Sequence, residues 1–184
     1  MQHTQTGNQI SQFSKAQVIA ISEGAFFGKG NAQLPGAAML MIDQITLISK
    51  TGGAYGKGEL TADLQIKPDH WFFGCHFKGD PVMPGCLGLD ALWQLLGVFL
   101  GWSGLPGKGR ALGVGKVKFT GQIYPDAGEI QYRLDIKRTF SRPMAMGIAN
   151  GQVIHNGKII YQADDLRVGL IRKEEKRADQ PTSL

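Results

Sequence analysis

The chain has 184 residues, 42% of them hydrophobic and 19% charged, a balance that suits a folded domain with a substantial core and excludes a disordered chain. Its net charge of +5 is concentrated: residues 108–142 carry eight Lys/Arg against three Asp/Glu, and the rest of the chain is balanced. Such a stretch points to an anionic partner or to a solvated sheet face, while two cysteines are too few for a disulfide framework.

Residues 1–13 are polar and read as a loose end. Ser14-Lys15-Ala16-Gln17 fits a capping box opening a short helix through Ser22, which Gly24 stops. Met39–Ile48 is an apolar run with strand character. Leu60, Ala62, Leu64 and Ile66 alternate with Glu59, Thr61, Asp63 and Gln65, the period of a strand with one dry face. Val117 and Phe119 alternate with Lys116 and Lys118, and Ile130, Tyr132, Leu134 and Ile136 with Gln131, Arg133 and Asp135. Met144–Ala149 and Ile159–Val168 supply further strands, and Asn156-Gly157 is a two-residue hairpin signal between the last two. From Arg172 the chain is charged and polar, a solvated tail, which leaves residues 14–171 as the folded domain.

One long helix stands against these strands, from Pro84 to Trp102, apolar nearly all the way round. Its stretch Cys86–Leu100 is interrupted by Asp90 and Gln94 and is short beside the roughly 20 apolar residues a membrane span needs. We expect a buried helix and no membrane partner. With no secretory signal at the start, the expected location is the cytoplasm. A helix dry on every face and strands dry on one face have a joint solution. An antiparallel sheet curls around the helix in an α+β architecture, and a second copy of the chain closes whatever the sheet leaves open.

The candidate chemistry lies on and just before that helix. Cys86, Asp90 and Gln94 fall four residues apart on one narrow polar stripe. A carboxylate among leucines is costly to bury ionised and unpaired, so such a group either becomes harder to ionise or finds a partner. Held protonated near neutrality, it is a general acid; tied down by backbone donors, it is inert. His76 and His70 are equal candidates for a base by residue type, since a neutral imidazole is the usual group for removing a carbon-bound proton. His155 adjoins a turn and His3 lies in the loose end. His76 is favoured by its position before "MPGCLG", where the unpartnered N–H groups of a helix start attract negative charge and Gly85 admits a ligand oxygen. The spacing of His70, Cys75, His76 and Cys86 matches no usual zinc pattern, and no aromatic-rich motif supports nucleic-acid binding.

"WFFGCHFKGDPVMPGCLGLDALWQLLG" followed by "GKGRALGVGKVKFTGQIYP" closely resembles the 3-hydroxydecanoyl-[acyl-carrier-protein] dehydratase/isomerases of bacterial type II fatty acid synthesis. The resemblance runs from about Gly24 to Leu170 and includes "QLPGAAMLMIDQI" and "NGKIIYQADDLRVGL". It implies the hot-dog fold and a homodimer in which His76 of one chain faces Asp90 of the other. It implies His76 as base, Asp90 as the group that activates the hydroxyl, Gly85 N–H as oxyanion donor, and Val82, Cys86 and Gln94 in contact with substrate. Asp at position 90 resembles the bifunctional branch; broader-range dehydratases of the same pathway carry Glu there. No metal or organic cofactor is implied. The acidic acyl carrier protein is the implied partner, with Lys137, Arg138, Arg142 and Arg167 as the expected docking cations.

Overall fold

The computed structural model describes residues 10–172; of the ends expected to be loose, 1–13 and 172–184, residues 1–9 and 173–184 lie outside the described residues. Residues 10–13 correct the sequence reading. Phe13 is 1% exposed, exchanges backbone hydrogen bonds of 2.8 and 2.9 Å with Ile45, and meets the ring of Phe26 edge-on at 5.2 Å. One aromatic side chain with a place in the core outweighs its polar surroundings.

Helix α1 (Lys15–Ser22) begins as expected, with the Ser14 hydroxyl on Gln17 N–H and Gln17 Oε1 on Ser14 N–H. The chain leaves it through Gly24 at φ +76°. The strands are β1 (Gln44–Ser49), β2 (Glu59–Gln65), β3 (Lys108–Gly113), β4 (Lys116–Phe119), β5 (Glu129–Phe140), β6 (Ala145–His155) and β7 (Lys158–Ile171), and the long helix is α2 (Gly85–Trp102). All pairs are antiparallel, in the order β1-β2-β5-β6-β7-β3, with β4 also on β7. Asn156 and Gly157, at φ 48° and 73°, make the expected tight turn between β6 and β7. This is the hot-dog arrangement of a long helix packed against an antiparallel sheet.

Three expectations about strands change. The run from Met39 is extended ladder only from Gln44, because the backbone of Met39 and Met41 is bonded by the Gln94 side chain instead. β3 was not anticipated: its residues are mostly exposed and carry no apolar alternation, as an edge strand permits. Phe119 of β4, expected on a dry face, is 52% exposed, since β4 is also on the rim of the sheet.

Helix α2 packs on β7, β6 and β5. Leu92, Leu95, Leu96 and Leu100 are fully buried there. Close approach depends on two glycines of β6. A Cβ on Gly151 would stand 2.8 Å from Leu92 Cδ1, and one on Gly147 2.9 Å from Leu96 Cδ1. The helix is not covered on every side. Cys86 is exposed, and Leu89, Asp90, Trp93 and Gly97 are only half-buried, so one flank is left open by its own sheet. By length and composition α2 is the one helix among the described residues apolar enough to cross a membrane, but ten of its residues are buried against the fold.

Candidate active site

His76 follows a single 3₁₀ turn (Trp71–Gly74) that buries Phe72 and Phe73 and so anchors the loop before α2. The loop then closes on itself twice. Val82 N–H donates to His76 O at 2.8 Å, and His76 Nδ1 lies 2.9 Å from Val82 O. A carbonyl only accepts, so Nδ1 carries the hydrogen and a neutral ring presents Nε2 as its base. Val82, expected to touch substrate, thus gives its carbonyl to the imidazole and its N–H to the His76 backbone. His70 is engaged differently: its Nε2 is 3.1 Å from Gln65 O and its ring stacks on Phe72 at 5.1 Å. His155 is half-buried, with Nε2 2.9 Å from Ala127 O.

Pro84 is the N-cap of α2 and offers no side-chain hydrogen bond, so Gly85 N–H opens the helix with no intrahelical acceptor. The space a side chain would need at Gly85 is filled by Phe119, whose Cε1 would lie 2.9 Å from a Cβ there. Phe119 meets Tyr161 edge-on at 4.8 Å, and burial, with a smaller effect of Cys86, pushes the Tyr161 phenol up to about 12. The helix start is therefore walled by aromatic rings that sequence reasoning did not identify. Cys75 and Cys86 are both free, exposed thiols.

Asp90 lies five residues into α2, about 7.5 Å along the axis from Gly85. It is half-buried rather than enclosed by leucines, and its Oδ2 accepts from Gln94 Nε2 at 2.7 Å. It opens on a cleft of about 410 Å³ lined also by Trp93, Gln94, Asn31, Lys108 and Arg110. His76 does not line this cleft. Within one chain the structure groups His76, Val82 and Gly85 at the foot of the helix, and Asp90 and Gln94 on its open flank. Among the described residues no group of three or more His, Cys, Asp or Glu is placed to hold a metal ion.

The cations expected to dock a carrier differ in their availability. Lys137 Nζ is 2.6 Å from Asp165 Oδ1; this hydrogen bond raises the ammonium above its ordinary range and lowers the carboxyl. Arg138 on β5 and Arg167 on β7 are both in register with Ile148 of β6, so they flank it on the exposed face about 10 Å apart. Arg142 lines a surface hollow of about 510 Å³ with Ser141, Met144 and Arg172.

The family model described as FabA-like domain matches residues 34–164. Among solved structures, the dehydratase heterocomplex ApeI:P from Xenorhabdus doucetiae aligns with a TM-score of 0.60 at 16% identity, covering 75% of this chain and 87% of that one. The conserved protein PA5202 from Pseudomonas aeruginosa aligns with a TM-score of 0.45 at 13% identity, over 61% and 81% of the two chains.

Proposed function

The chain belongs to the FabA-like domain family, and from that premise we propose that it dehydrates 3-hydroxyacyl thioesters of about ten carbons carried on acyl carrier protein, and moves the double bond of the trans-2 product to cis-3. The observation that carries this reading is an imidazole oriented at the foot of α2 together with a half-buried carboxyl on the open flank of the same helix. Two such groups, brought together by a second copy of the chain, are the acid and base an elimination requires. The open flank and the exposed rim residues Leu112 (46%) and Phe119 (52%) support a homodimer.

In the proposed reaction His76 Nε2 removes the C2 proton while Gly85 N–H and the helix dipole stabilise negative charge on the thioester oxygen. Asp90 donates a proton to the 3-hydroxyl, which leaves as water. For isomerisation the base takes a proton from C4 and one is returned to C2. The thioester itself acidifies C2, so the chain's own groups suffice for proton transfer in both steps. Arg138 and Arg167 face outward as a cationic pair that would draw in an acidic carrier.

The test is product analysis with a 3-hydroxydecanoyl thioester. Trans-2 and cis-3 enoyl products should form, and His76→Ala and Asp90→Asn should each reduce the rate by about 10²–10⁴-fold. Release of free thiol without enoyl product would mark a thioesterase and overturn the reading.

A further inference from the structure

Gln94 stands one turn beyond Asp90 on α2, is 9% exposed, and has both N–H bonds and its carbonyl engaged within the chain. Its Oε1 accepts Met41 N–H at 3.3 Å, and its Nε2 donates to the Met39 carbonyl at 2.7 Å. A backbone donor on one side and a backbone acceptor on the other fix which end of the amide is which. The remaining Nε2 hydrogen is thereby aimed at Asp90 Oδ2, 2.7 Å away. No N–H of Gln94 is left over to donate to a substrate, although the side chain lines the cleft on which Asp90 opens.

An amide N–H can only donate, so Oδ2 must accept. In a neutral carboxyl group the carbonyl oxygen is the stronger acceptor and the hydroxyl oxygen carries the proton. Holding an N–H on Oδ2 therefore favours the tautomer with its proton on Oδ1. We propose that Gln94 is a positioning residue that selects Oδ1 of Asp90 as the oxygen delivering a proton to the departing hydroxyl; the proposal rests on the dehydratase reading above. In the step, the C2–H bond breaks and its proton passes to His76 Nε2. The released electron pair forms the C2–C3 double bond, C3–O breaks, and the oxygen takes the Oδ1 proton to leave as water. The Asp90 carboxylate left behind keeps the Gln94 N–H as its donor. It recovers a proton when the imidazolium gives one up after product release.

The device reaches beyond the helix. The same amide fastens Met39 and Met41, and the Trp71 indole N–H holds Ala38 O at 2.8 Å. The short segment 38–41 therefore ties the carboxyl's support to the turn that precedes His76.

The experiment compares two leaving groups. A 3-hydroxyacyl thioester needs a proton on its departing oxygen, whereas fluoride departs from a 3-fluoroacyl thioester with little such help. Gln94→Met keeps length and volume without donors, and Gln94→Glu keeps the shape with an acceptor in place of the amide N–H₂. Each variant should lose about 10–100-fold in kcat on the hydroxy substrate with KM held within about threefold, and less than about threefold in kcat on the fluoro substrate. Asp90→Asn should show the same selective pattern. Equal losses on both substrates, or none on either, from variants with native circular dichroism would overturn the positioning role while leaving the dehydratase reading intact. Should the apolar variant not fold, Gln94→Glu carries the comparison alone. A wild-type chain that eliminates from neither substrate would refute the dehydratase reading itself, and the positioning role with it.

Discussion

Gly151→Ala adds one methyl group at a close contact between helix and sheet, and two effects of opposite sign meet there. Gly151 has no left-handed backbone, so alanine fits its conformation and lowers the entropy of the unfolded chain, a gain of about 0.4–1 kcal/mol. Against this, the new Cβ would stand 2.8 and 3.1 Å from the two methyls of Leu92 and 2.9 Å from Leu166 Cδ1. The optimum for such carbon pairs is about 3.5–4.0 Å, so each contact is compressed by roughly half an ångström or more. Both leucines are 0% exposed and have no solvent side to move toward. Overpacking of this kind costs about 1–3 kcal/mol, which exceeds the entropic gain and leaves a net loss of about 1–2 kcal/mol. For a chain of this length that lowers Tm by about 2–8 °C in a calorimetric scan. Gly147→Ala, facing Leu96 and Leu100, should behave alike. Adding Leu92→Ala to Gly151→Ala should cost less than the sum of the two single changes, because the removed side chain vacates the clash. An unchanged or raised Tm in both glycine variants would refute the claim that α2 is seated on β6 by the absence of side chains.

Other consequences are as direct. Mixing inactive His76→Ala and Asp90→Asn chains under conditions of subunit exchange should restore about a quarter of wild-type dehydration, since half the dimers are mixed and each has one intact site; no recovery would place both groups in one chain's site. Tyr132 is 1% exposed and its hydroxyl has no hydrogen-bond partner among the described residues, so Tyr132→Phe should raise stability by about 1 kcal/mol in a denaturant titration, and a loss would show a partner. Arg138→Ala with Arg167→Ala should raise KM for a carrier-bound substrate about 3–10-fold and flatten its salt dependence, with turnover of a small thioester unchanged. Equal effects on both substrates would locate the arginines' role away from carrier docking.

Much of the fold was legible because its signals are local. The Ser14/Gln17 capping box, the Asn156-Gly157 turn and the alternation through β5 each need only neighbouring residues to be read. What was missed depends on partners distant in the chain. β3 is a strand because Lys108–Gly113 meets the far end of β7, and its own exposed residues announce nothing. Phe13 is core because Ile45 and Phe26 receive it. Gln94 was visible as a polar residue on an apolar helix, but its hydrogen bonds run to Met39 and Met41, more than fifty residues earlier. The carboxyl of Asp90 illustrates the same limit. Its neighbours in sequence are apolar, yet its neighbours in space are Gln94 and an open cleft.

That last difference bears on how one helix serves both stability and chemistry. A carboxyl facing the sheet would be sealed among Leu92, Leu95 and Leu96, where it would meet no substrate and would cost several kcal/mol as an ion. Placed instead on the flank the sheet leaves open, it is half-shielded within one chain and still reachable. The flank also presents Leu89, Trp93 and Gly97, apolar surface that a second chain would cover. In the proposed homodimer, assembly and reaction would draw on the same strip of α2. Covering that strip would remove water from around the carboxyl and bring the partner's imidazole loop toward it in a single event. On that proposal a monomeric variant should keep its fold and lose dehydration, because the sheet holds the helix while the second copy would complete the site.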